Sequence, residues 1–377
     1  MKKHSTAAAT AVVLMGSVFG GAALAADPAP ATPAAPAAPS LGDVLTSTGL
    51  TVTGYVAASY YHSNGYSDFH QFDIEHDTFQ LDQTALTVAY QPKEGFGALV
   101  NIAAGEDMRV LNGAEQGTGP TGNTFDVVQA FVQYAGGPVT VIAGKYVTLA
   151  GAEVIAPTGN VNFSRSLLFF AEPLTHTGIR ATYAVSDTLS IIGGVNNGWN
   201  TTSTSYGSKT GEVGVAFTPN KIFALTAQAY IGKVPGFDAQ RTLVDFVGTY
   251  NATESLSFVL SYDWGKQEQH GDGLPDLKWN GVAAYANYAI NDQWRVSLRA
   301  EYLDDKEGFV TTYQQKVKEA TVTFGYDPIK NFEVRFEARY DKSDKDTFRR
   351  AITDETTFYA NSQTGFAVQG IYKFGTT

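Results

Sequence analysis

The chain has 377 residues, no cysteine, and a formal net charge of −11. The lack of cysteine excludes a disulfide framework and thiol chemistry, and the acidic balance argues against nucleic acid as a partner. Abundant aromatic residues and glycine, with 20 Tyr, 23 Phe and 38 Gly, suit a β-barrel with aromatic girdles and tight turns.

The N-terminus has the pattern of a secretion signal. Lys2 and Lys3 precede an apolar stretch at 7–21, and Ala23-Leu24-Ala25 supplies the small residues of a cleavage site. We therefore expect residues 1–25 to be a signal peptide. An uncleaved anchor is disfavoured because the apolar run is short. No later apolar stretch reaches the about 20 residues that a transmembrane helix needs, so a membrane-crossing chain would have to be a barrel.

A spacer is predicted next, at 26–40, where Ala and Pro dominate the sequence. Such a composition favours extended polyproline II and cannot build a core. We place this spacer in the periplasm. A short N-terminal segment at 41–49, which could begin as a capped helix, would lead into a barrel at 50–377.

From Leu50 onward, apolar residues recur at every second position. In 331–340, one parity is apolar, with Phe332, Val334, Phe336, Ala338 and Tyr340. The other parity is charged, with Glu333, Arg335, Glu337 and Arg339. Successive strand side chains point to opposite faces, so one face is apolar and the other is charged. The apolar faces end in aromatic residues such as Trp294 and Tyr302, which indicates a membrane barrel and disfavours a soluble sandwich.

The alternating segments predict an all-β, transmembrane antiparallel β-barrel of about 16 strands. They lie near 50–61, 77–91, 96–106, 124–135, 138–147, 175–185, 188–196, 209–218, 222–232, 240–250, 254–265, 278–290, 292–303, 316–327, 331–341 and 363–374. Short connections alternate with long ones, which is typical of short periplasmic turns and long extracellular loops. A barrel of this size leaves an aqueous channel, and its inward parity is polar, as at Gln129, Asp245 and Ser261.

Several motifs lie between residues 143 and 199. They are Ala-Gly-Lys-Tyr at 143–146, Gly-Asn-Val-Asn-Phe-Ser-Arg-Ser at 159–166, Thr-His-Thr-Gly-Ile-Arg at 175–180 and Val-Asn-Asn-Gly-Trp at 195–199. With the segment 41–55, they resemble the OmpL-like group of outer-membrane β-barrel porins over essentially the whole mature chain. The resemblance implies a barrel that passes small solutes, without naming one. The chain departs from the usual terminal aromatic, because Phe374 is followed by three residues.

The predicted loop at 148–174 is the longest and the most apolar. A loop of this composition should not lie in water. We therefore expect it to fold into the barrel and narrow the channel, as a loop at this place does in general porins. Its acids are Glu153 and Glu172, and we expect one or the other to face the opening. The alternative is a loop that reaches a neighbouring subunit.

Two predicted strands have arginines on their inward parity: Arg295 and Arg299 on one, and Arg335 and Arg339 on the other. Glu319, Glu333 and Glu337 lie between these arginines. Together they form either one wall of a charged constriction, whose field orients solutes, or a self-neutralised ladder that only braces the wall. The hypothetical pore constriction comprises Glu153, Arg165, Glu172, Arg180, Arg295, Arg299, Arg335 and Arg339.

Other chemistry has little support in the sequence. His62, His70 and His76, with the acids Asp68, Asp73, Glu75 and Asp77, could bind a divalent ion, but polar residues are ordinary in an external loop. Ser164 and His176 lack the Gly-x-Ser-x-Gly context of a hydrolase. We expect no enzymatic activity, no cofactor and no metal.

The sequence thus predicts a porin of a Gram-negative outer membrane, in contact with its lipids, through which small hydrophilic solutes and ions diffuse passively. A substrate-selective channel and a structural or adhesive barrel are the alternatives. Most loops are short for an adhesin. A homotrimer is an analogy with barrels of similar size.

Overall fold

The computed structural model describes residues 47–66, 69–237, 239–269, 274–353 and 356–375. The predicted signal peptide, the spacer and residues 41–46 of the short N-terminal segment lie outside the described residues. Of that segment, residues 47 and 48 are helical, directly before the first strand.

Sixteen strands of the described residues form one closed antiparallel barrel, which confirms the predicted fold class. They are β1 (Leu50–Ser63), β2 (Thr78–Tyr90), β3 (Gly95–Ala104), β4 (Phe125–Gly136), β5 (Val139–Val147), β6 (Thr175–Ser186), β7 (Leu189–Asn196), β8 (Thr210–Phe217), β9 (Phe223–Lys233), β10 (Gln240–Asn251), β11 (Leu256–Gln267), β12 (Leu277–Ala289), β13 (Trp294–Asp305), β14 (Gln315–Ile329), β15 (Phe332–Ser343) and β18 (Ser362–Gly375). Between β15 and β18, β16 (Phe348–Thr353) and β17 (Thr356–Ala360) form a separate hairpin.

Each barrel strand pairs with its neighbour in the chain, apart from the hairpin, and β1 pairs with β18 to close the sheet. A closed sheet has no unpaired edge, so the backbone groups of every strand find partners within the barrel. Strands can cross the apolar part of a bilayer only in this closed form. Among the described residues, no helix has the length and apolar character that a membrane crossing needs.

The alternation predicted from the sequence separates an apolar exterior from a polar interior. On β13, Leu298 is 52% exposed on the outside, whereas the adjacent Arg299 is buried inside. Near the end of the barrel where the short turns lie, Trp294 and Tyr326 stack with ring centroids 4.3 Å apart. The exterior therefore has the apolar band and an aromatic pair where an interface girdle belongs.

Two predicted loops contain regular structure that the sequence pattern missed. Helix α1 (Glu106–Gln116) occupies the predicted loop at 107–123, and the hairpin β16–β17 occupies the one at 342–362. Met108 and Leu111 of α1 are fully buried, and so is Phe348 of the hairpin. Each element folds because neighbouring loops, with a few inward-facing strand residues, offer it an apolar surface, which local periodicity does not reveal.

The assignment of faces can be tested on two neighbouring residues in the middle of β3. Val100 is 45% exposed on the outside, whereas Asn101 lines a cavity inside the barrel. Val100→Arg places a cation at the lipid midplane, which costs about 2–4 kcal/mol. We expect this variant to give less of the folded, heat-modifiable form on gels.

Asn101→Arg is the matched control. It loses a hydrogen bond to Thr87, 2.8 Å long, but its new side chain enters a water-accessible space. We expect it to assemble at close to the wild-type yield. Equal yields from the two variants would contradict the assigned faces.

Candidate functional site

The segment 148–174, named here the inward loop, leaves β5 and returns to β6 on the inner side of the barrel. It contains a single 3-10 turn (Pro157–Gly159) and the short helix α2 (Leu167–Phe170). Its side chains and backbone contact inward-facing residues of β12 to β15. The structure therefore places this loop inside its own barrel, and not against a neighbouring subunit.

Arginines of β13 and β15 donate to the backbone of the inward loop. Arg299 donates to the Ser164 carbonyl at 2.8 Å, and Arg339 donates to the Arg165 carbonyl at 2.7 Å. Arg335 donates to three carbonyls of the loop: those of Asn160 at 2.7 Å, Asn162 at 3.0 Å and Pro157 at 3.1 Å. Three of the predicted arginines thus hold the loop.

Glutamates of the same wall accept from the amides of the loop. Glu337 accepts from Phe163 at 2.7 Å and from Ser164 at 2.9 Å. Glu301 accepts from the Leu167 amide at 2.9 Å, at the start of α2. An acid is favoured at this position because the first amides of a helical turn lack partners within the turn. The arginines and glutamates together form the anchoring wall.

Glu153 is paired with Arg299 and does not face it across an opening. The two groups are 2.9 Å apart, both buried, and Glu153 also accepts from the Ser166 amide at 2.6 Å. Of the two acids of the loop, Glu153 therefore contacts the wall, whereas Glu172 lines a cavity. Arg299 also meets Glu301 and Glu319, at 3.1 and 3.2 Å, so the charges of the wall are largely neutralised locally.

Arg165 braces the inward loop from within. It donates to the carbonyls of Val154 at 2.9 Å, Ile155 at 2.7 Å and Phe163 at 2.8 Å. Its guanidinium also lies 5.3 Å from the centre of the Phe72 ring. Because Arg165 is buried, its charge is satisfied by carbonyls of the loop and does not border an opening.

The other two predicted arginines lie away from the loop's anchors. Arg180 on β6 pairs with both oxygens of Glu212, at 2.9 and 3.1 Å, and covers the Tyr146 ring at 4.3 Å. Arg295 pairs with Glu333 and lies 3.6 Å from Asp327. Unlike the anchoring arginines, Arg295 is partly exposed and lines a cavity near the short turns.

Apolar packing fixes the inward loop from both sides. Ile155 and Phe169 pack with Met108 and Leu111 of α1, while Leu167 and Leu168 pack with Phe69, Phe348 and residues of β12 to β14. Gly281 on β12 makes room for this contact. A Cβ there would lie 2.4 Å from a methyl of Leu168.

Glu172 belongs to a cluster of three carboxylates that the sequence pattern did not predict. Its carboxylate lies beside Asp245 of β10 and Asp263 of β11, and all three are buried. Burial raises the pKa of the Glu172 carboxyl well above its usual range, and the charges of Asp263 and Asp245 raise it further. The sequence analysis placed Asp245 on the inward parity, and the same pattern could have found Asp263, but their pairing required the strand register.

The three histidines in and beside the first external loop, which joins β1 to β2, belong to separate contacts, and His62 itself lies in β1. His62 and His76 both meet Asp77, at 2.5 and 2.7 Å. His70 is buried between Asp73 and Asp341, at 2.5 and 3.1 Å. Asp68 lies outside the described residues, and the described members of this set form no cluster of three metal-binding groups.

Cavities lie on both sides of the inward loop. Toward the long loops, cavities of about 560 and 750 Å³ share Ala114 and Asn200. Toward the short turns, cavities of about 410 and 700 Å³ are lined by residues such as Thr158 of the loop and Arg295 of the wall. The cavities of the two sides have no lining residue in common.

A closed sixteen-stranded barrel with an apolar exterior and a loop folded inside it defines an outer-membrane porin. The chain belongs to the family described as "Putative beta-barrel porin-2, OmpL-like", which matches residues 49–374. The predicted family, outer-membrane location and porin function are thereby confirmed. No curated protein matches the chain.

Solved structures of other outer-membrane proteins share the fold. OprB of Pseudomonas putida has a TM-score of 0.60 and 12% identity, with 88% of this chain and 96% of that chain covered. The DcaP channel of Acinetobacter baumannii has a TM-score of 0.58 and 13% identity, with 86% of this chain and 97% of that chain covered. The trimer form of in-vitro-folded OmpT of Vibrio cholerae has a TM-score of 0.58 and 10% identity, with 86% of this chain and 99% of that chain covered. At these identities the likeness shows the fold alone.

The anchoring wall can be tested with two arginines that share Glu333. Both pair with it, but only Arg335 also donates to the inward loop. Arg335→Met removes a donor from three loop carbonyls. The Pro157 carbonyl keeps the Asn160 amide, and each buried carbonyl left unsatisfied costs about 1–3 kcal/mol. We expect amide hydrogen exchange at 157–163 to accelerate at least about tenfold.

Arg295→Met is the matched control, because it also leaves Glu333 with one arginine. Its exchange at 157–163 should stay close to that of the wild type. The same acceleration in both variants would show that the loop responds to the loss of wall charge in general and not to the loss of the Arg335 anchor.

Proposed function

We propose that the barrel conducts small hydrophilic solutes and ions passively, and that the passage is narrowest beside the inward loop. The supporting observation is the position of this loop, which is pinned to one wall and separates the cavities of the long-loop side from those of the short-turn side. A loop held by buried contacts at both its backbone and its side chains provides a fixed narrow section.

We assign the predicted constriction residues to two roles. Glu153, Arg165, Arg299, Arg335 and Arg339 hold the inward loop, and Arg180 braces the wall at β6. Only Glu172 and Arg295 line the cavities through which solutes would approach. The cavities on the long-loop side and those on the short-turn side form two vestibules. Solutes therefore meet charge in these vestibules more than at the loop itself, where the buried pairs neutralise one another.

Aromatic and charged groups line the vestibules. On the long-loop side, Arg241 lies 4.7 Å from the Trp199 ring, and both line the larger cavity. On the short-turn side, Lys373 lines the 410 Å³ cavity and Arg295 lines the other. Both vestibules thus offer contacts for polar solutes, which supports diffusion of hydrophilic molecules.

Shortening the inward loop tests the position of the constriction. Replacement of residues 155–170 by a short Gly-Ser linker removes the narrow section, so single-channel conductance in planar bilayers should rise about twofold or more. As a control, a two-residue Gly-Ser linker in place of 203–206, which line the 750 Å³ cavity on the long-loop side, should leave conductance unchanged. Unchanged conductance in the first variant would place the constriction elsewhere.

The same recordings separate the alternative functions. A barrel that is folded by circular dichroism but electrically silent would favour a structural or adhesive role. Conductance that one class of solute blocks at low concentration would favour a substrate-selective channel. Passive diffusion predicts a current that rises with salt concentration and shows no such block.

We also infer a homotrimer as the assembled form. The support is the trimer form named for OmpT, which shares the barrel fold. Light scattering with correction for bound detergent should give three chains per particle. A particle of one chain would contradict this inference without affecting the proposed conduction.

A further inference from the structure

Three buried carboxylates meet where the inward loop ends. Glu172 of the loop, Asp245 of β10 and Asp263 of β11 each offer one oxygen atom, and these atoms lie within 4.8 Å of one another. Asp245 and Asp263 are directly opposite in the strand register. Like charges at such positions destabilise a sheet unless something neutralises them.

The described residues provide few hydrogen-bond donors for these acids. Both carboxylate oxygens of Asp263 and Oε2 of Glu172 lack a donor within the described part of the chain, and Asp245 meets the Gly151 amide but no cation. Asp245 and Asp263 have no exposed surface, so bulk water does not solvate them. The buried charges of the anchoring wall are different, because each arginine there has a carboxylate partner: Arg299 pairs with Glu319, Arg335 with Glu333 and Arg339 with Asp341. Buried charges are normally paired or coordinate a metal.

The chemistry and spacing of the group fit a hard divalent cation. Carboxylate oxygens suit Ca²⁺, Mg²⁺ and Mn²⁺, and the absence of nitrogen and sulfur ligands in this group disfavours zinc and copper. Ca²⁺ binds oxygens at about 2.3–2.6 Å, so two ligands on opposite sides of the ion are about 4.6–5.2 Å apart. The three carboxylates have enough oxygens for the low end of the coordination number of Ca²⁺, about six to eight.

We propose that Glu172, Asp245 and Asp263 bind one Ca²⁺ ion, which fastens the end of the inward loop to β10 and β11. The start of the loop meets the same place, since a Cβ at Gly151 would lie 2.0 Å from Oε2 of Glu172. Glu172 lines the cavity of about 560 Å³ on the long-loop side, which gives an ion a route to the site. The proposal does not depend on conduction.

The ion complements the anchoring wall. The arginines and glutamates of β13 and β15 hold the middle of the inward loop, from Pro157 to Leu168, and make no described contact with Glu172. A cation between β10, β11 and Glu172 would hold its ends on a different part of the barrel. The loop would then be fixed at two separate places, which a narrow passage of constant width requires.

Tb³⁺ luminescence tests the site in the folded full-length protein. Trp279 packs in one cluster with Ala171, the neighbour of Glu172, so a lanthanide at the site should be sensitised by tryptophan. Protein in detergent, stripped with EDTA and freed of chelator, should bind Tb³⁺ with saturation at one ion per chain. Ca²⁺ should displace it at lower concentration than Mg²⁺ does.

The double variant Asp245→Asn with Asp263→Asn should weaken Tb³⁺ and Ca²⁺ binding at least about tenfold. Its folding is checked by heat-modifiability on gels and should be intact, because two amides remove the repulsion between the acids. Ca²⁺ should raise the unfolding temperature of the wild type and leave that of this variant unchanged.

Glu75→Gln with Asp77→Asn is the matched control, since it removes two acids of the first external loop. It should bind as the wild type does. Undiminished binding by the first variant, or loss of binding in the control, would overturn the proposal. So would a wild type with no saturable binding, because the three carboxylates would then be neutralised by protons.

Discussion

Backbone groups of the inward loop are buried inside the barrel and need hydrogen-bond partners, and this requirement organises the rest of the interior. Carbonyls at 157–165 receive arginine donors from β13 and β15, and amides at 163–168 meet glutamates of the same wall. An irregular segment at membrane depth is tolerated only where protein or water satisfies it in this way. The charged residues are thus a scaffold for a loop before they are a lining for solutes.

Buried ion pairs are a costly way to hold a loop, since desolvation can cancel the Coulombic gain. Removal of one partner is nevertheless strongly destabilising, because it leaves an unpaired charge. The wall therefore contributes position more than stability. Arg299 pairs with Glu153 of the loop and with Glu301 and Glu319 of the wall. An arrangement of the loop that moved Glu153 away would leave a buried charge with fewer partners, which is unfavourable.

Apolar contacts also hold the inward loop in place. Helix α1, the first external loop and the β16–β17 hairpin each place buried side chains against the inward loop or its surroundings. Elements that are distant in the chain thus close over the barrel from the long-loop side. The remaining space forms the vestibules, whose partly exposed charges contrast with the neutralised wall. Division of the interior into a rigid, neutral support and hydrated vestibules suits a channel for small polar solutes.

The sequence by itself determined the barrel and its approximate strand count, because alternation is a local pattern. It assigned the face of the clearest strands, such as β13 and β15, but not the bulges that interrupt the alternation on others. It also selected the inward loop by its apolar composition and the arginines by their parity. It could not decide what these arginines contact: Arg335 and Pro157, for example, are 178 positions apart. It likewise could not reveal the group of Glu172, Asp245 and Asp263. Such contacts are set by closure of the sheet and by strand register, which bring together residues whose local sequence contains no sign of one another.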